Sequence, residues 1–181
     1  MALIVKDKKI VGTIDKLEEK LEGKLPITRE ELLVLVNSWG RRLGFATKDS
    51  QNKDIYIGSC ESKECYDLSK LDTSEITDMS NLFKYSEFNG DISNWDVSKV
   101  TDMSGLFDCA IKFNQDINSW DVSNVTNMSS IFANTKKFNQ NISSWNVSNV
   151  TNMNSMFSNA RNFNQPINSW NTSNVTNMMS M

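Results

Sequence analysis

Four tryptophans recur at an unbroken spacing of 25 residues, and this period constrains the fold more than any other feature of the chain. They are Trp95, Trp120, Trp145 and Trp170. A fixed period of about 20 to 50 residues is typical of repeat proteins, in which each unit buries its apolar side chains against its neighbours. We therefore expect one elongated core built from stacked copies of a single motif.

The copies define two regions of the chain. Residues 67–181 hold about four and a half 25-residue coils, the last of which is cut off at Met181, as expected of a truncated array. A degenerate first copy has Leu71 where the tryptophan would stand. Residues 1–66 have a different composition, and we expect them to cover the open apolar edge of the first coil, because terminal repeats need a cap.

Spacing within a copy predicts its local structure. Apolar residues alternate over 120–122, which favours a short strand. Met128, Ile131 and Phe132 then lie at helical spacing, and Thr126 is a suitable N-cap for that turn. Each copy thus predicts strand, turn, short helical turn and return. The fold class expected is an α/β solenoid with coils about 4.8 Å apart.

The N-terminal region predicts a small α+β cap with a hairpin, two helices and a strand. Apolar residues flank a polar turn near the start, and residues 13–22 and 55–58 are typical of a helix and a strand. Thr28 and Glu31 form a capping box for a second helix. That helix is expected to bury one apolar set, which comprises Leu32, Leu33, Val36 and Trp39.

The repeat also resembles a known family. Residues 120–132 and 145–157 carry Trp-Asp/Asn-Val-Ser-Asn-Val-Thr-Asn-Met with small changes, and the pattern Ile-x-x-Trp-x-Val is similar to a leucine-rich-repeat motif. They resemble the BspA-like leucine-rich repeats of bacterial surface lipoproteins. The resemblance implies a right-handed coil of short parallel strands and short helical turns. It also implies a scaffold for protein binding or adhesion at the cell surface or in secreted form, although no signal peptide is present in this chain.

One position departs from the leucine-rich-repeat pattern. Where such repeats carry an asparagine that bonds neighbouring coils, this chain has a valine column, Val100, Val125, Val150 and Val175. The asparagine ladder is therefore expected to be absent or displaced. The candidate column for a displaced ladder is Asp78, Asp102, Asn127, Asn152 and Asn177.

The residue inventory argues against catalysis, cofactors and metals. The chain has no histidine, which removes Ser-His and Cys-His pairs and the commonest metal ligand. Cys60 and Cys65 could form a disulfide in an exported protein or remain free thiols inside a cell, while Cys109 stands alone. Acidic columns could hold calcium between coils, but acids are replaced by amides along the array, so we expect neither a metal nor a catalytic site.

Charge and hydropathy exclude two further classes. Residues 1–70 carry 13 basic and 12 acidic side chains, and residues 71–181 carry 6 and 10, so neither half is a polycation suited to nucleic acid. No apolar run approaches the roughly 18 residues of a membrane span. The aromatic columns could stack on carbohydrate, but their positions predict core.

Two surfaces remain as candidates for binding. The variable spacer after each helical turn would form a basic rim with Lys112, Lys136, Lys137 and Arg161. The strand face would present a column of Asp96, Asp121, Asn146 and Asn171. We expect a non-enzymatic scaffold that binds an unidentified protein or host-surface ligand. The alternative is a structural spacer or self-assembling segment, joined end to end through an uncapped edge at Val175, Met178 and Met181.

Overall fold

The computed structural model describes most of the repeat region and parts of the N-terminal region. Strands β1, Leu3–Lys6, and β2, Lys9–Thr13, pair as an antiparallel hairpin. Helix α1 spans Arg29–Asn37. Strands β3, Thr47–Lys48, and β4, Asp54–Ile55, form a second antiparallel pair. The described residues are 3–6, 9–13, 19–20, 22–37, 47–48, 54–55 and 68–181.

The described part of the N-terminal region agrees with the predicted hairpin and second helix. Thr28 and Glu31 form the predicted capping box: the Thr28 N–H donates to Glu31 Oε2 at 2.9 Å, and the Glu31 N–H donates to Thr28 Oγ1 at 3.3 Å. Much of the first predicted helix lies outside the described residues. So do most of the predicted strand over 55–58 and the side chains of Trp39, Cys60 and Cys65.

Successive copies of the repeat lie in register on one another. Parallel single-residue bridges join equivalent positions in neighbouring coils, which are the pairs Asp78–Asp102, Asp102–Asn127, Asn127–Asn152 and Asn152–Asn177. The cap makes the same kind of bridge to the first coil, from Pro26 to Asp72. Within residues 68–181 the backbone forms these bridges and turns, without a helix or a longer strand.

Aromatic rings form the interior of this stack. The rings of Phe83, Phe107, Phe132 and Phe157 follow one another at centroid distances of 5.5, 5.8 and 5.7 Å. Planes in this column are within 9° of parallel, so each ring covers the next. The four repeat tryptophans are 3–9% exposed. The prediction that the tryptophan columns belong to the core is confirmed.

The turn that follows each bridge differs from the predicted helical turn. Ser130 and Asn134 have φ of +56° and +57°, values that a right-handed helix excludes. Successive backbone N–H groups in this turn alternate between an acceptor in the same coil and an acceptor in the next coil. The N–H of Ile131 donates to Met128 within the coil, while the N–H of Phe132 donates to the Met156 carbonyl of the next coil at 3.0 Å. The predictions of a helix over 128–132 and a strand over 120–122 are wrong.

Thr126 also has a different role from the predicted N-cap. Its side chain is exposed, and its hydroxyl donates to the carbonyl of Thr101 in the preceding coil at 3.2 Å. Asn127 closes the turn that begins there, because its Oδ1 accepts the N–H of Ser129 at 3.1 Å. The threonine therefore stabilises the contact between coils rather than the start of a helix.

The asparagine ladder lies in a column other than the predicted one. Oδ1 of Asn89 accepts the N–H of Asn114, and Oδ1 of Asn114 accepts the N–H of Asn139, at 2.8 and 2.9 Å. The predicted column around Asp102 instead makes the parallel bridges and closes turns within each coil. Within this column, a side-chain bond to the preceding coil is made by Asn127, whose Nδ2 donates to Asp102 Oδ2 at 3.2 Å. A displaced ladder therefore exists, in the column of Asn89, Asn114 and Asn139.

Candidate interaction surfaces

The predicted strand-face column is exposed and is also part of the backbone structure. Oδ1 of Asp96, Asp121, Asn146 and Asn171 accepts the N–H two residues later, at 2.9 to 3.2 Å. Hydrogen bonds from the Ser98 hydroxyl and N–H lower the pKa of Asp96. Aspartate and asparagine present the same Oδ1 acceptor, which explains why amides replace acids along the array without loss of the turn.

The predicted basic rim is divided by ion pairs. Lys84 Nζ lies 2.9 Å from Asp108 Oδ2, and Lys112 Nζ lies 2.7 Å from Glu87 Oε2, so each lysine pairs with an acid one coil away. The hydrogen bond to Asp108 raises the pKa of Lys84. These pairs neutralise the rim over the first two coils.

The remaining part of the rim is exposed and basic. Lys136, Lys137 and Arg161 are exposed, and the Arg161 Nε donates to Asn159 Oδ1 at 3.0 Å. The sequence contains no aspartate or glutamate after Asp121, so these three cations occupy a stretch without carboxylates. We refer to Lys136, Lys137 and Arg161 as the basic rim patch.

Cys109 does not have the features of an activated nucleophile. Burial and the neighbouring Asp108 raise the pKa of the Cys109 thiol to about 11, which disfavours the nucleophilic thiolate. Among the residues that the structure describes, no group of three or more histidine, cysteine, aspartate or glutamate side chains could hold a metal ion.

The cap meets the first coil through Arg29, a contact that the sequence analysis missed. The Arg29 Nε donates to the carbonyl of Asp78 at 3.0 Å, and its Nη2 donates to the carbonyl of Ser80 at 2.8 Å. The Nε also lies 3.2 Å from Asp78 Oδ2. A groove of about 490 Å³ runs beside this contact between residues 26–30 and residues 75–78.

The opposite end of the stack carries the predicted exposed edge. Met178 is 43% exposed and Met181 is 38% exposed, while Val175 is half-buried. In the earlier coils the equivalents of these side chains are fully buried, as Met128 and Ile131 illustrate.

The repeat region of the chain matches a known protein family. A family model described as "Mycoplasma protein of unknown function, DUF285" matches residues 53–141 and 116–181. No curated protein and no solved structure matches the chain. In the described parts of the chain, no helix is long and apolar enough to cross a membrane.

Proposed function

The chain belongs to DUF285, the family of Mycoplasma proteins of unknown function, and we propose that it is a non-enzymatic binding scaffold. Its coils would form a leucine-rich-repeat-like solenoid of the BspA type, and its partner would be a protein or host-surface ligand with acidic groups. The observation that carries the proposal is the basic rim patch, a set of three exposed cations in a stretch of the chain without carboxylates.

The side-chain columns that repeat from copy to copy are already used to hold neighbouring coils together. Along the stack, Trp120 and Trp145 donate their indole N–H groups to the carbonyls of Ile92 and Ile117, at 3.1 and 3.0 Å. Hydroxyl and amide side chains repeat the same inter-coil bonds on the outer faces, as Ser144 and Asn149 illustrate. Substitution of the residues that make these hydrogen bonds would weaken the contact between neighbouring coils. Selection for a ligand is therefore expected in the spacers, whose residues differ from copy to copy.

The charge distribution indicates which part of the rim would bind. Residues 71–121 carry ten acids and three lysines, whereas residues 122–181 carry three basic side chains and no acid. Lys112 lies in the acidic stretch, and Glu87 neutralises its charge. A ligand with closely spaced carboxylates would meet attraction at Lys136, Lys137 and Arg161 and repulsion near Asp96 and Asp121.

A charge-reversal experiment tests this proposal. The variant Lys136→Glu/Lys137→Glu/Arg161→Glu should lose binding to fluorescein-labelled poly-L-glutamate, measured by anisotropy at low and at physiological salt. The matched control Lys24→Glu/Lys70→Glu/Lys99→Glu changes net charge equally, and all three of its lysines are exposed. The control should retain at least half of the binding signal of the parent chain. Equal losses in the two variants would show only the effect of net charge and would reject the rim as the site.

A structural role is the second candidate. In that case the chain would be a spacer or a self-assembling segment that joins copies end to end. Sedimentation of the parent chain separates the two roles. Assembly without a ligand supports the structural role, whereas a monomer that binds polyglutamate through the rim supports the scaffold.

A further inference from the structure

In the repeat, two adjacent residues of one coil bind a single carbonyl oxygen of the preceding coil through three donors. The Thr126 N–H donates to the Thr101 carbonyl at 2.9 Å, the Asn127 N–H reaches the same oxygen at 3.4 Å, and the Thr126 hydroxyl donates to it at 3.2 Å. The same three bonds recur at Thr151 and Asn152, which bind the Thr126 carbonyl. The repeat therefore builds a binding site for one carbonyl oxygen at this position.

The first coil has the same donors, and the cap rather than another copy of the repeat adjoins them. The equivalent residues are Thr77 and Asp78, because Thr101 donates its N–H to the Thr77 carbonyl and Asp78 forms a parallel bridge with Asp102. Thr77 is exposed, and within the described residues its N–H, its hydroxyl and the Asp78 N–H have no hydrogen-bond acceptor. By equivalence these donors point away from the second coil, towards the cap. We refer to these three donors as the cap-side oxygen site.

A groove between the cap and the first coil adjoins this site. Residues 26–30 line one side of the groove, residues 75–78 line the other, and its volume is about 490 Å³. Ligand sites in proteins have volumes of about 300 to 1,000 Å³, so the groove has room for a short peptide segment. An oxygen acceptor carried by such a segment would reach the donors of Thr77 and Asp78.

The cap is held to the first coil on both sides of the groove. The Ile27 N–H donates to the Asp72 carbonyl at 2.9 Å. The Arg29 guanidinium donates to the carbonyls of Asp78 and Ser80. Because these bonds fix the cap before and after the groove, the walls of the groove are formed by backbone that is already held in place.

Carboxylates around the groove decide the charge of the ligand that it suits. Glu30 is exposed and makes no ion pair within the described residues, and Glu75 is exposed and lies 2.8 Å from Lys99. The charge of Arg29 is balanced by Asp78, whose Oδ2 lies 3.2 Å from the Arg29 Nε. The groove therefore has a net negative charge, which repels a carboxylate and attracts lysine or arginine side chains. A neutral backbone carbonyl flanked by basic side chains suits both the donors and this charge.

We propose that the groove beside the cap binds an extended, basic peptide segment of a partner protein. One main-chain carbonyl of the segment would accept from the cap-side oxygen site, as a threonine carbonyl does in the later coils. A lysine or arginine of the segment would pair with Glu30. Main-chain hydrogen bonds give affinity when an extended segment adds to an exposed edge, and flanking side chains give specificity. This site has the opposite charge to the basic rim patch and does not depend on it.

Peptide titration followed by amide NMR tests the assignment. The probe is the capped peptide acetyl-Lys-Val-Thr-Lys-amide, added to the nitrogen-15-labelled full chain. The amide signals of Thr77 and Asp78 should shift with a common dissociation constant. Acetyl-Glu-Val-Thr-Glu-amide offers the same backbone and should bind at least about tenfold more weakly, because its carboxylates face those of the groove. Equal binding of the two peptides, or shifts confined to residues outside the groove, would overturn the proposal.

The same threonine substitution in two neighbouring coils separates ligand binding from stability. Thr77→Val removes a hydroxyl that has no acceptor within the described chain. It should weaken peptide binding about three- to tenfold and leave the urea midpoint of unfolding nearly unchanged. Thr101→Val removes a hydroxyl that donates to the Thr77 carbonyl at 3.3 Å, so it should lower the midpoint and leave peptide binding unchanged. Full binding by Thr77→Val would reject the oxygen site.

Neutral variants test the charge of the groove. Glu30→Gln/Glu75→Gln should weaken binding of the lysine peptide severalfold. The matched control Asp91→Asn/Asp116→Asn changes the net charge equally, and both of its acids are exposed. Asparagine keeps the Oδ1 acceptor of both turns, so the control should fold and bind as the parent chain does. Equal losses in the two variants would show only an effect of net charge and would rule out the groove.

Two measurements without the peptide distinguish other occupants. Sodium acetate at the same concentration should leave the Thr77 signal unchanged, whereas a shift as large as that caused by the peptide would show an anion site. Dilution of the chain alone should also leave this signal in place, and movement with protein concentration would show that a second copy occupies the groove. Either result would contradict a basic peptide as the ligand. Charge reversal of the basic rim patch should not change peptide binding, so the two proposals fail separately.

Discussion

Trp120 donates its indole N–H to the carbonyl oxygen of Ile92, one coil earlier, at 3.1 Å. The same bond joins Trp145 to Ile117 and Trp170 to Ile142, so each tryptophan both fills the core and satisfies a backbone acceptor of the preceding coil. Phenylalanine has no N–H donor and could fill only part of this space. This relationship explains why the column holds tryptophan rather than another aromatic residue.

Trp120→Phe should lower the free energy of unfolding by about 1 to 3 kcal/mol, because it leaves the Ile92 carbonyl buried without its donor. Urea denaturation of the two proteins measures the difference. Trp170→Phe is the control, since Trp170 belongs to the last coil and is more exposed, so water can replace the lost bond. A larger loss at position 170 than at position 120 would contradict this account.

Asp121→Asn should leave stability nearly unchanged, whereas Asp121→Ala should lower it by about 0.5 to 1.5 kcal/mol. The reason is that Oδ1 accepts the Ser123 N–H at 3.0 Å and an asparagine can do the same, as Asn146 does in the next coil. Thermal and urea unfolding provide the measurement. If the asparagine variant were as destabilised as the alanine variant, the carboxylate charge rather than the turn would be responsible.

Acid should weaken the cap through Glu31. Burial raises the pKa of this carboxyl group, but hydrogen bonds from Lys20 and from Thr28 outweigh burial and bring the pKa below its ordinary value. A group with a lowered folded pKa stabilises the protein above its unfolded pKa, and that contribution disappears as pH falls through the folded pKa. The stability difference between the parent chain and Glu31→Gln should therefore be largest near neutral pH and shrink as pH falls below the ordinary carboxyl pKa of 4.5. A difference that stays constant over this range would show that the charge is irrelevant.

Cys109 should react slowly with alkylating reagents at neutral pH. A rise in the thiol pKa from 9.0 to about 11 reduces the thiolate fraction about a hundredfold in the neutral range. Iodoacetamide labelling of a Cys60→Ser/Cys65→Ser chain isolates this thiol, and its rate should rise steeply at high pH. Unfolded protein in urea serves as the control and should react as an ordinary cysteine does. Equal rates for folded and unfolded protein near neutral pH would refute the prediction.

The strictly periodic features of this chain could be predicted from its sequence. Burial of Trp120 followed from its period, because a large apolar residue at every copy has to be covered by its neighbours. The capping box of Thr28 and Glu31 followed from local spacing alone, because its atoms belong to one helical turn. Both features depend on interactions that the repeat or the adjacent residues already define.

The turns and the end contacts could not be predicted in the same way. Met128, Ile131 and Phe132 have helical spacing, but carbonyls of the adjacent coil accept the N–H groups of Met128 and Phe132, and Ser130 between them has a left-handed backbone conformation. Sequence periodicity does not distinguish these two geometries. Arg29 lies about fifty positions from the carbonyls that it covers, so no local pattern connects them.

Solvent access to the repeat tryptophans tests the central claim most directly, because the whole stack depends on those indoles lying inside it. Acrylamide quenching of a Trp39→Phe chain reports on Trp95, Trp120, Trp145 and Trp170 alone. The account predicts blue-shifted emission and quenching several times weaker than that of the same chain in urea. A folded protein whose tryptophans are quenched as readily as in urea would contradict it.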